Sequence, residues 1–386
     1  MYKPPHTPAI VVDQTILDAN ISAMADFAAT QRLALRPHAK THKIAAIAQK
    51  QLAAGAHGLS VATLGEAQYF FDAGITDIFI AYPIWPHRNE AALLTSLAER
   101  GALAVGTDSV DAVHHLADLT EEDPGVAVLI ELNSGHHRSG VFPDQVVPIA
   151  QAIRQRNMTL RGVFTFPGHS YAPGAHATAA DNEARTLRAA QRILHEAGFP
   201  LEVLSGGSSP TATATPADGA TEIRPGVYVF GDAQQLELGR IGWEDIALHV
   251  VATVVAQHPA HGTAPARIIV DAGSKILAAD RAPWATGHGR VMGHPDARIT
   301  ALSEHHGTII WDSDDLPAMG TQLRLVPNHV CVAVNLVDEV YVVENDQLVA
   351  TWQVGARGRT PNSSIGPGFM LPDVRFDRVG TNRPRR

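Results

Sequence analysis

The sequence predicts an α/β chain in which a (β/α)8 barrel is followed by a mostly antiparallel β domain, and three observations carry that prediction. Through the first two-thirds, short apolar runs alternate with Ala-rich amphipathic runs at intervals of very roughly thirty residues, the spacing of βα units. No Gly-x-Gly-x-x-Gly turn follows the first strand, so a series of eight parallel units favours a closed barrel over an open doubly wound sheet. From about Leu248 the pattern changes to β-branched alternating runs separated by Gly, Pro, Asp and Asn turns. The resulting division is a barrel over residues 14–245 and a β domain built from residues 1–13 and 246–386.

A strand at Ala9–Val12 and a helix starting near Thr15 precede the barrel. Barrel strands are expected at Leu33–Leu35, Gly58–Val61, Asp77–Ala81, Ala102–Val105, Ala127–Glu131, Leu160–Phe164, Glu202–Leu204 and Thr221–Ile223. Helical runs between them include Leu64–Ala73, Asn89–Arg100, Asp144–Arg156 and Ala180–Ala197. Later strands are expected at His249–Ala256, Arg267–Val270, Arg298–Leu302, Gln322–Leu325, Val330–Val334 and Glu339–Val343.

Composition bounds the function. At 386 residues, 45% hydrophobic and 18% charged, the chain can bury a large core as one big domain plus a smaller one. A net charge of −9, with no basic run longer than Arg383-Pro384-Arg385-Arg386, argues against nucleic acid or an anionic membrane as the main partner, and that tail reads as disordered. No apolar stretch approaches the roughly twenty residues of a membrane span. The opening Met1-Tyr2-Lys3-Pro4-Pro5-His6 lacks the apolar region of a signal peptide, so a cytoplasmic location is expected. Cys331 is the only cysteine, which excludes an intrachain disulfide.

The chemistry concentrates at Arg36-Pro37-His38-Ala39-Lys40-Thr41-His42-Lys43, which an apolar run enters and a helix-like run, Ile44–Ala54, leaves. Lys40 is thereby placed at the C-terminal end of a strand, where α/β enzymes keep their reactive groups. Neighbouring cations and partial burial would lower its pKa and make its amine a nucleophile toward carbonyl compounds. A Schiff-base lysine and a basic loop that binds an anion both satisfy this local pattern. Lys43 reads as a solvated charge at the helix start.

Seven further segments follow in order: Gly135-His136-His137-Arg138-Ser139-Gly140, Gly168-His169-Ser170-Tyr171, Ser205 to Thr211, Glu222 to Tyr228, Asp271 to Lys275, Ser303-Glu304-His305-His306-Gly307 and Pro327-Asn328-His329-Val330-Cys331. With the Lys40 stretch they resemble the D-threonine aldolase/D-serine dehydratase family, whose fold is alanine-racemase-like, and the resemblance spans nearly the whole chain. It implies that Lys40 holds pyridoxal 5'-phosphate (PLP) and, once displaced by substrate, moves the Cα proton. It places Arg138 near the PLP phenolic oxygen, although an ordinary strand-end salt bridge would also explain that arginine. Gly206, Gly207 and Ser208 follow strand seven, and Gly226, Val227 and Tyr228 follow strand eight. The loops after these strands form the usual phosphate cradle of barrels. Tyr171 is the expected contact of the pyridine nitrogen, with Arg224 left open; a lone arginine before Pro-Gly is otherwise a common surface residue. His306 matches the family histidine and His305 departs from the pattern. Asp271 and Lys275 could form a structural pair.

His329 and Cys331, at i and i+2 of an expected strand, would point to one face and reach a single ion. The family binds a divalent metal at this spot with His-x-Cys or His-x-Asp, and thiolate with imidazole selects Zn2+, whereas a carboxylate would admit Mn2+ or Mg2+. Resemblance therefore implies a PLP- and zinc-dependent lyase acting on D-configured 3-hydroxy amino acids. Cys331 favours dehydration to a keto acid and ammonia over retro-aldol cleavage to glycine and an aldehyde. A racemase would need a second acid/base, for which Tyr341 is the only tyrosine in the C-terminal part of the β domain, residues 246–386, and a PLP carrier without catalysis would need neither that domain nor the metal pair. The family assembles as a homodimer with the active site at the interface.

Overall fold

Eight short strands curl into one parallel sheet in this computed structural model, which describes residues 2–359 apart from 121–124, 217, 312 and 314. The basic tail lies outside the described residues. After a first strand, β1 (Ala9–Asp13), the eight are β2 (Ala34–Leu35), β3 (Leu59–Val61), β4 (Asp77–Pro83), β5 (Ala102–Thr107), β6 (Val126–Leu132), β7 (Thr159–Thr165), β8 (Val203–Gly206) and β9 (Glu222–Ile223). Hydrogen bonds order them β2-β9-β8-β7-β6-β5-β4-β3. The remaining gap, between β2 and β3, is closed by His57 N–H to Leu35 O, Ser60 N–H to Pro37 O and a bridge between His38 and Ser60. The expected (β/α)8 barrel is therefore closed, with the Ala-rich runs forming helices such as Leu64–Asp72, Ala91–Arg100, Val146–Gln155 and His176–Glu196. No helix among the described residues is long and apolar enough to cross a membrane.

Phe79, Ala104, Leu129 and Phe164 form a small apolar plug inside the barrel, the two rings meeting edge to face at 5.0 Å. One buried charge is fully paired. Arg36, only 2% exposed, donates Nε to Glu222 Oε2 at 2.6 Å and its two terminal nitrogens to Asp77 at 2.8 and 3.0 Å. Arg36→Leu would leave Glu222 buried without its cation, and breaking one side of such a pair costs on the order of 3–5 kcal/mol. A urea unfolding curve should show that loss as a lowered midpoint at unchanged slope; a loss below about 1 kcal/mol would mean that the pair is solvated.

The second domain contains β10 (Leu248–His258), β11 (Arg267–Val270), β12 (Gly289–Val291), β13 (His294–Leu302), β14 (Gly307–Ile310), β15 (Gln322–Pro327), β16 (Glu339–Glu344) and β17 (Gln347–Gln353). Pairing runs β10-β11-β14-β13-β12-β15 and returns to β10, a closed six-stranded antiparallel ring, while β1, β16 and β17 extend the sheet outward from β10. One expected strand is absent. Val330–Asn335 is a short helix, because burying Val330, Ala333 and Val334 on one side follows the i, i+3, i+4 spacing, and Asp232 Oδ2 accepts the Val330 N–H at 3.3 Å. The alternating Val-Cys-Val-Ala-Val run fits a strand by propensity, but tertiary burial selects the helix.

One apolar cluster joins the two domains. Ile44 and Ile47, just beyond the Lys40 turn, and Val227 and Phe230, just beyond β9, share it with Val250, Leu325, Val330 and Val334 of the β domain. Each such side chain, fully buried, contributes about 1.5–3 kcal/mol. This junction clamps the barrel's C-terminal rim against the helix that carries Cys331.

Candidate active site

Lys40 lies in a 3-10 turn, Ala39–Thr41, past the end of β2. Pro37 keeps Arg36 extended, and His38 N–H donates to Pro225 O at 3.0 Å, so the turn is pinned before it begins. Beyond it Lys43 adopts φ 56° and, rather than being solvated, pairs with Glu66 at 3.1 Å and donates to Asn335 Oδ1 at 2.7 Å. Burial is the first cause of a lowered Lys40 pKa, with Arg138 and Arg224 adding to it while the Cys331 thiolate and Glu66 oppose it. The flanking histidines add little charge. Burial drives His42 to about 4 and His38 well below the usual histidine value, so both are neutral.

Lys40 opens onto a cavity of about 300 Å³ also lined by Arg138, Tyr171, Gly207, Ser208, Gly226, Val227, His329 and Cys331. Gly206 and Tyr228 are not on its wall; Tyr228 is turned to Gln51, whose Nε2 donates to the phenol oxygen at 3.0 Å. Arg138 sits 3.5 Å from Glu131 and stacks 5.0 Å from the Phe166 ring, which Lys40 Nζ approaches to 5.6 Å. Gly207 has φ 77°, and a Cβ at Gly226 would fall 2.5 Å from Thr41 Oγ1, so both turns require glycine.

The glycine turn is less open than its sequence suggests, since Glu183 takes the Gly207 N–H at 2.8 Å and Thr211 Oγ1 takes the Ser208 N–H at 2.9 Å. Sequence reasoning passed over Ser209, Phe166 and Thr41, and left Arg224 undecided. Arg224 is buried, not superficial: its terminal nitrogens donate to Ser205 Oγ and to Thr165 O, leaving Nε without a partner. Ser209 Oγ is likewise buried and unpaired. Ser209 lies inside the Ser205–Thr211 segment, and that membership was the only signal for it.

His329 and Cys331 do share the cavity, by a route other than the strand geometry. His329 is the extended residue before the helix, and Cys331 lies in the helix's first turn. Cys331 Sγ stands 3.3 Å from Thr41 Oγ1, His329 Nδ1 meets Asp280 Oδ2 at 2.7 Å, and the imidazole and the sulfur are close enough to shift each other's charge. Burial opposes both charges, yet the pair wins: the thiolate and Asp280 hold His329 at about 11, and the imidazolium and then Lys40 pull the thiol down. His305 and His306 are exposed and away from the cavity wall. Lys275 pairs with Glu304 at 2.8 Å instead of Asp271, which accepts from Thr7 Oγ1 and Thr253 N–H.

Two family models match, alanine racemase, N-terminal domain, over residues 12–234, and a putative serine dehydratase domain over residues 247–343. D-threo-3-hydroxyaspartate dehydratase of Delftia sp. (strain HT23) is 37% identical over 374 residues, covering 90% of this chain and 96% of that one. The chain belongs to the D-threonine aldolase/D-serine dehydratase family. Within this family, D-threonine aldolase of Arthrobacter sp is 33% identical over 372 residues, 91% of this chain and 93% of its own. The crystal structure of D-threonine aldolase from Filomicrobium marinum aligns with a TM-score of 0.81 at 29% identity, covering 92% of this chain and 95% of that one. The fold is accordingly alanine-racemase-like, a fold family that PLP fits. The cavity agrees with such a group: Lys40, Arg138 and Arg224 line it with no carboxylate, and Ser209 Oγ and Arg224 Nε are donors still without partners.

Proposed function

We propose that the protein is a PLP- and divalent-metal-dependent lyase on D-3-hydroxy amino acids, dehydrating substrates of the D-serine or D-threo-3-hydroxyaspartate type to a keto acid and ammonia. The observation that carries this reading is the convergence of Lys40 with His329 and Cys331 on one cavity, with Thr41 beside both the lysine and the sulfur. PLP, when bound, supplies an electron sink for the bond to Cα that breaks, and the metal supplies a Lewis acid for the 3-hydroxyl.

Lys40 would hold PLP through its amine and, freed by substrate, take the Cα proton; its lowered pKa leaves more of it unprotonated. Arg138 would hold the phenolic oxygen, and Ser208, Gly226 and Val227 would face the phosphate. Tyr171, whose buried hydroxyl is raised in pKa and stays neutral, is the proposed partner of the pyridine nitrogen, with Arg224 Nε the second donor at hand. His329 and Cys331 would hold the metal, and imidazole with thiolate favours zinc over manganese or magnesium. Asp280 fixes the His329 ring through Nδ1, as carboxylates behind ligating histidines do. Among the described residues no group of three or more His, Cys, Asp or Glu could enclose an ion, so water and substrate oxygens would complete the shell. D-threo-3-hydroxyaspartate dehydratase has been solved with a cysteine replaced by alanine in a metal-free form, and also with a histidine replaced two positions earlier in its chain, the spacing of His329 and Cys331. A homodimer is part of the proposal: Tyr82, on the cavity wall, and Trp85 are 48% and 58% exposed, surface that a second copy would cover.

Aldol cleavage is the second reading, favoured by the likeness to two D-threonine aldolases. Tyr341, the expected second acid of a racemase, rests against Tyr2 at 6.3 Å and is absent from the cavity wall. The deciding assay incubates the protein, PLP and zinc with D-serine, D-threonine and D-threo-3-hydroxyaspartate. Keto acid and ammonia that disappear with chelator are expected; glycine and an aldehyde would transfer the assignment to the aldolase.

A further inference from the structure

We propose that Glu183 organises the anion-binding turn and takes up a proton when the phosphate of the cofactor binds, so that affinity for that phosphate falls as pH rises. The inference rests on reading the cavity as a PLP site. Glu183 projects from the helix His176–Glu196 and is fully buried. Oε1 accepts the Gly207 N–H at 2.8 Å, and Thr211, whose Oγ1 accepts the Ser208 N–H at 2.9 Å, lies near enough to the same carboxyl group to favour its charged form. Glu183 thus fixes the first, and neighbouring Thr211 the second, of two successive amides in a turn whose residues Gly207, Ser208 and Ser209 line the cavity.

That arrangement also explains Gly206, which lies off the cavity. A Cβ there would fall 2.7 Å from Glu183 Oε1 and 2.9 Å from Cδ, so glycine makes room for the carboxyl group rather than for the ligand. Oε2 is buried with no hydrogen-bond partner. A carboxylate oxygen left so is costly, whereas an acid proton would be carried there without that charge. Arg224 is the charged group that faces it; the turn after β8 contributes the Gly207 amide and Thr211, and the helix around it contributes Ala179, Ala180, Ala184 and Leu187, none of which titrates. Burial lifts Glu183 to about 7. A phosphate bound beside it adds like charge and lifts it further, so binding above neutrality draws in a proton.

The test titrates PLP into the full chain and its Glu183→Gln and Glu183→Ala variants at pH 6 and pH 9, following the visible absorbance of the bound cofactor, with pyridoxal as the phosphate-free control. Glutamine keeps an oxygen for Gly207 and cannot ionise. At pH 6 it should bind PLP within about threefold of wild type, and by pH 9 the wild-type Kd should have risen at least about tenfold relative to that variant, the ratio that one pKa unit represents. Glu183→Ala, which loses the turn's anchor, should bind PLP more weakly at both pH values and pyridoxal no differently. A ratio that stays constant between pH 6 and pH 9, or a glutamine variant as weak as alanine, would overturn the proposal. Should alanine fail to fold by thermal melt, the glutamine comparison still decides. Absence of any PLP absorbance with wild type would instead overturn the cofactor reading and this inference with it.

Discussion

Lys40→Ala is expected to abolish turnover while leaving the fold intact. Proton transfer by a positioned side chain is worth about 10²–10⁴-fold. Losing the amine that is also proposed to attach the cofactor places the fall in kcat at the upper end of that range or beyond it. The structure separates this loss from damage to the fold. Lys40 is buried among Arg138 and Arg224, and burial is the main cause that depresses its pKa. A base whose folded pKa lies below its unfolded value costs stability at pH below the folded pKa, and the cost diminishes as pH rises toward the unfolded value. Removing it should therefore leave Tm at neutral pH no lower than that of wild type. The chemical signature is independent of rate: borohydride treatment of the PLP-loaded wild type should fix the cofactor's mass onto the peptide that contains Lys40, and the alanine variant should carry none. Substantial turnover by the variant, or fixation at another lysine, would remove Lys40 from the role assigned to it.

The legibility of this chain tracks the range over which each feature is determined. Barrel strands and Ala-rich helices repeat locally, and a closed sheet follows from their count and from the absence of a dinucleotide turn. Lys40 was readable because a strand end and a helix start bracket it within a dozen residues. What escaped depends on partners far away in sequence. Arg224, before Pro-Gly, looks like a surface residue until Thr165, from the end of β7, and Ser205, from β8, close on its guanidinium. Glu183 sits in a helix of alternating polar and small residues, and nothing local says that its side faces a glycine turn. Lys43 reads as solvated because Glu66 and Asn335 reach it only through the folded chain. His329 and Cys331 show the opposite case. Their shared direction was expected from strand alternation and arises from a helix start, since an extended residue followed by the first helical turn also brings positions i and i+2 together.

Replacing Cys331 with alanine should remove the metal and with it the dehydration. The thiol is half of the two-residue ligand set proposed above, and a Lewis acid at a departing or deprotonating oxygen is worth several kcal/mol, so keto acid formation should fall on the order of 10²–10⁴-fold. Alanine has the highest helix propensity and Val330, Ala333 and Val334 still bury the same face, so the helix should persist and the loss can be read as chemistry. Metal content by plasma mass spectrometry should drop with activity, and the absorbance of bound PLP should remain, because Lys40 and the glycine turns are untouched. His329 loses its thiolate partner in this variant but keeps Asp280, so the imidazole remains oriented and the defect stays confined to the missing sulfur. Cys331→Asp sharpens the comparison. A carboxylate in place of the thiolate makes the ligand pair harder and should shift preference from zinc toward manganese or magnesium. If the aspartate variant recovers activity with manganese but yields glycine and an aldehyde, residue 331 selects the bond that breaks; if alanine retains both metal and dehydration, the ion is held elsewhere and Cys331 is a small buried hydrophobe packed against Thr41.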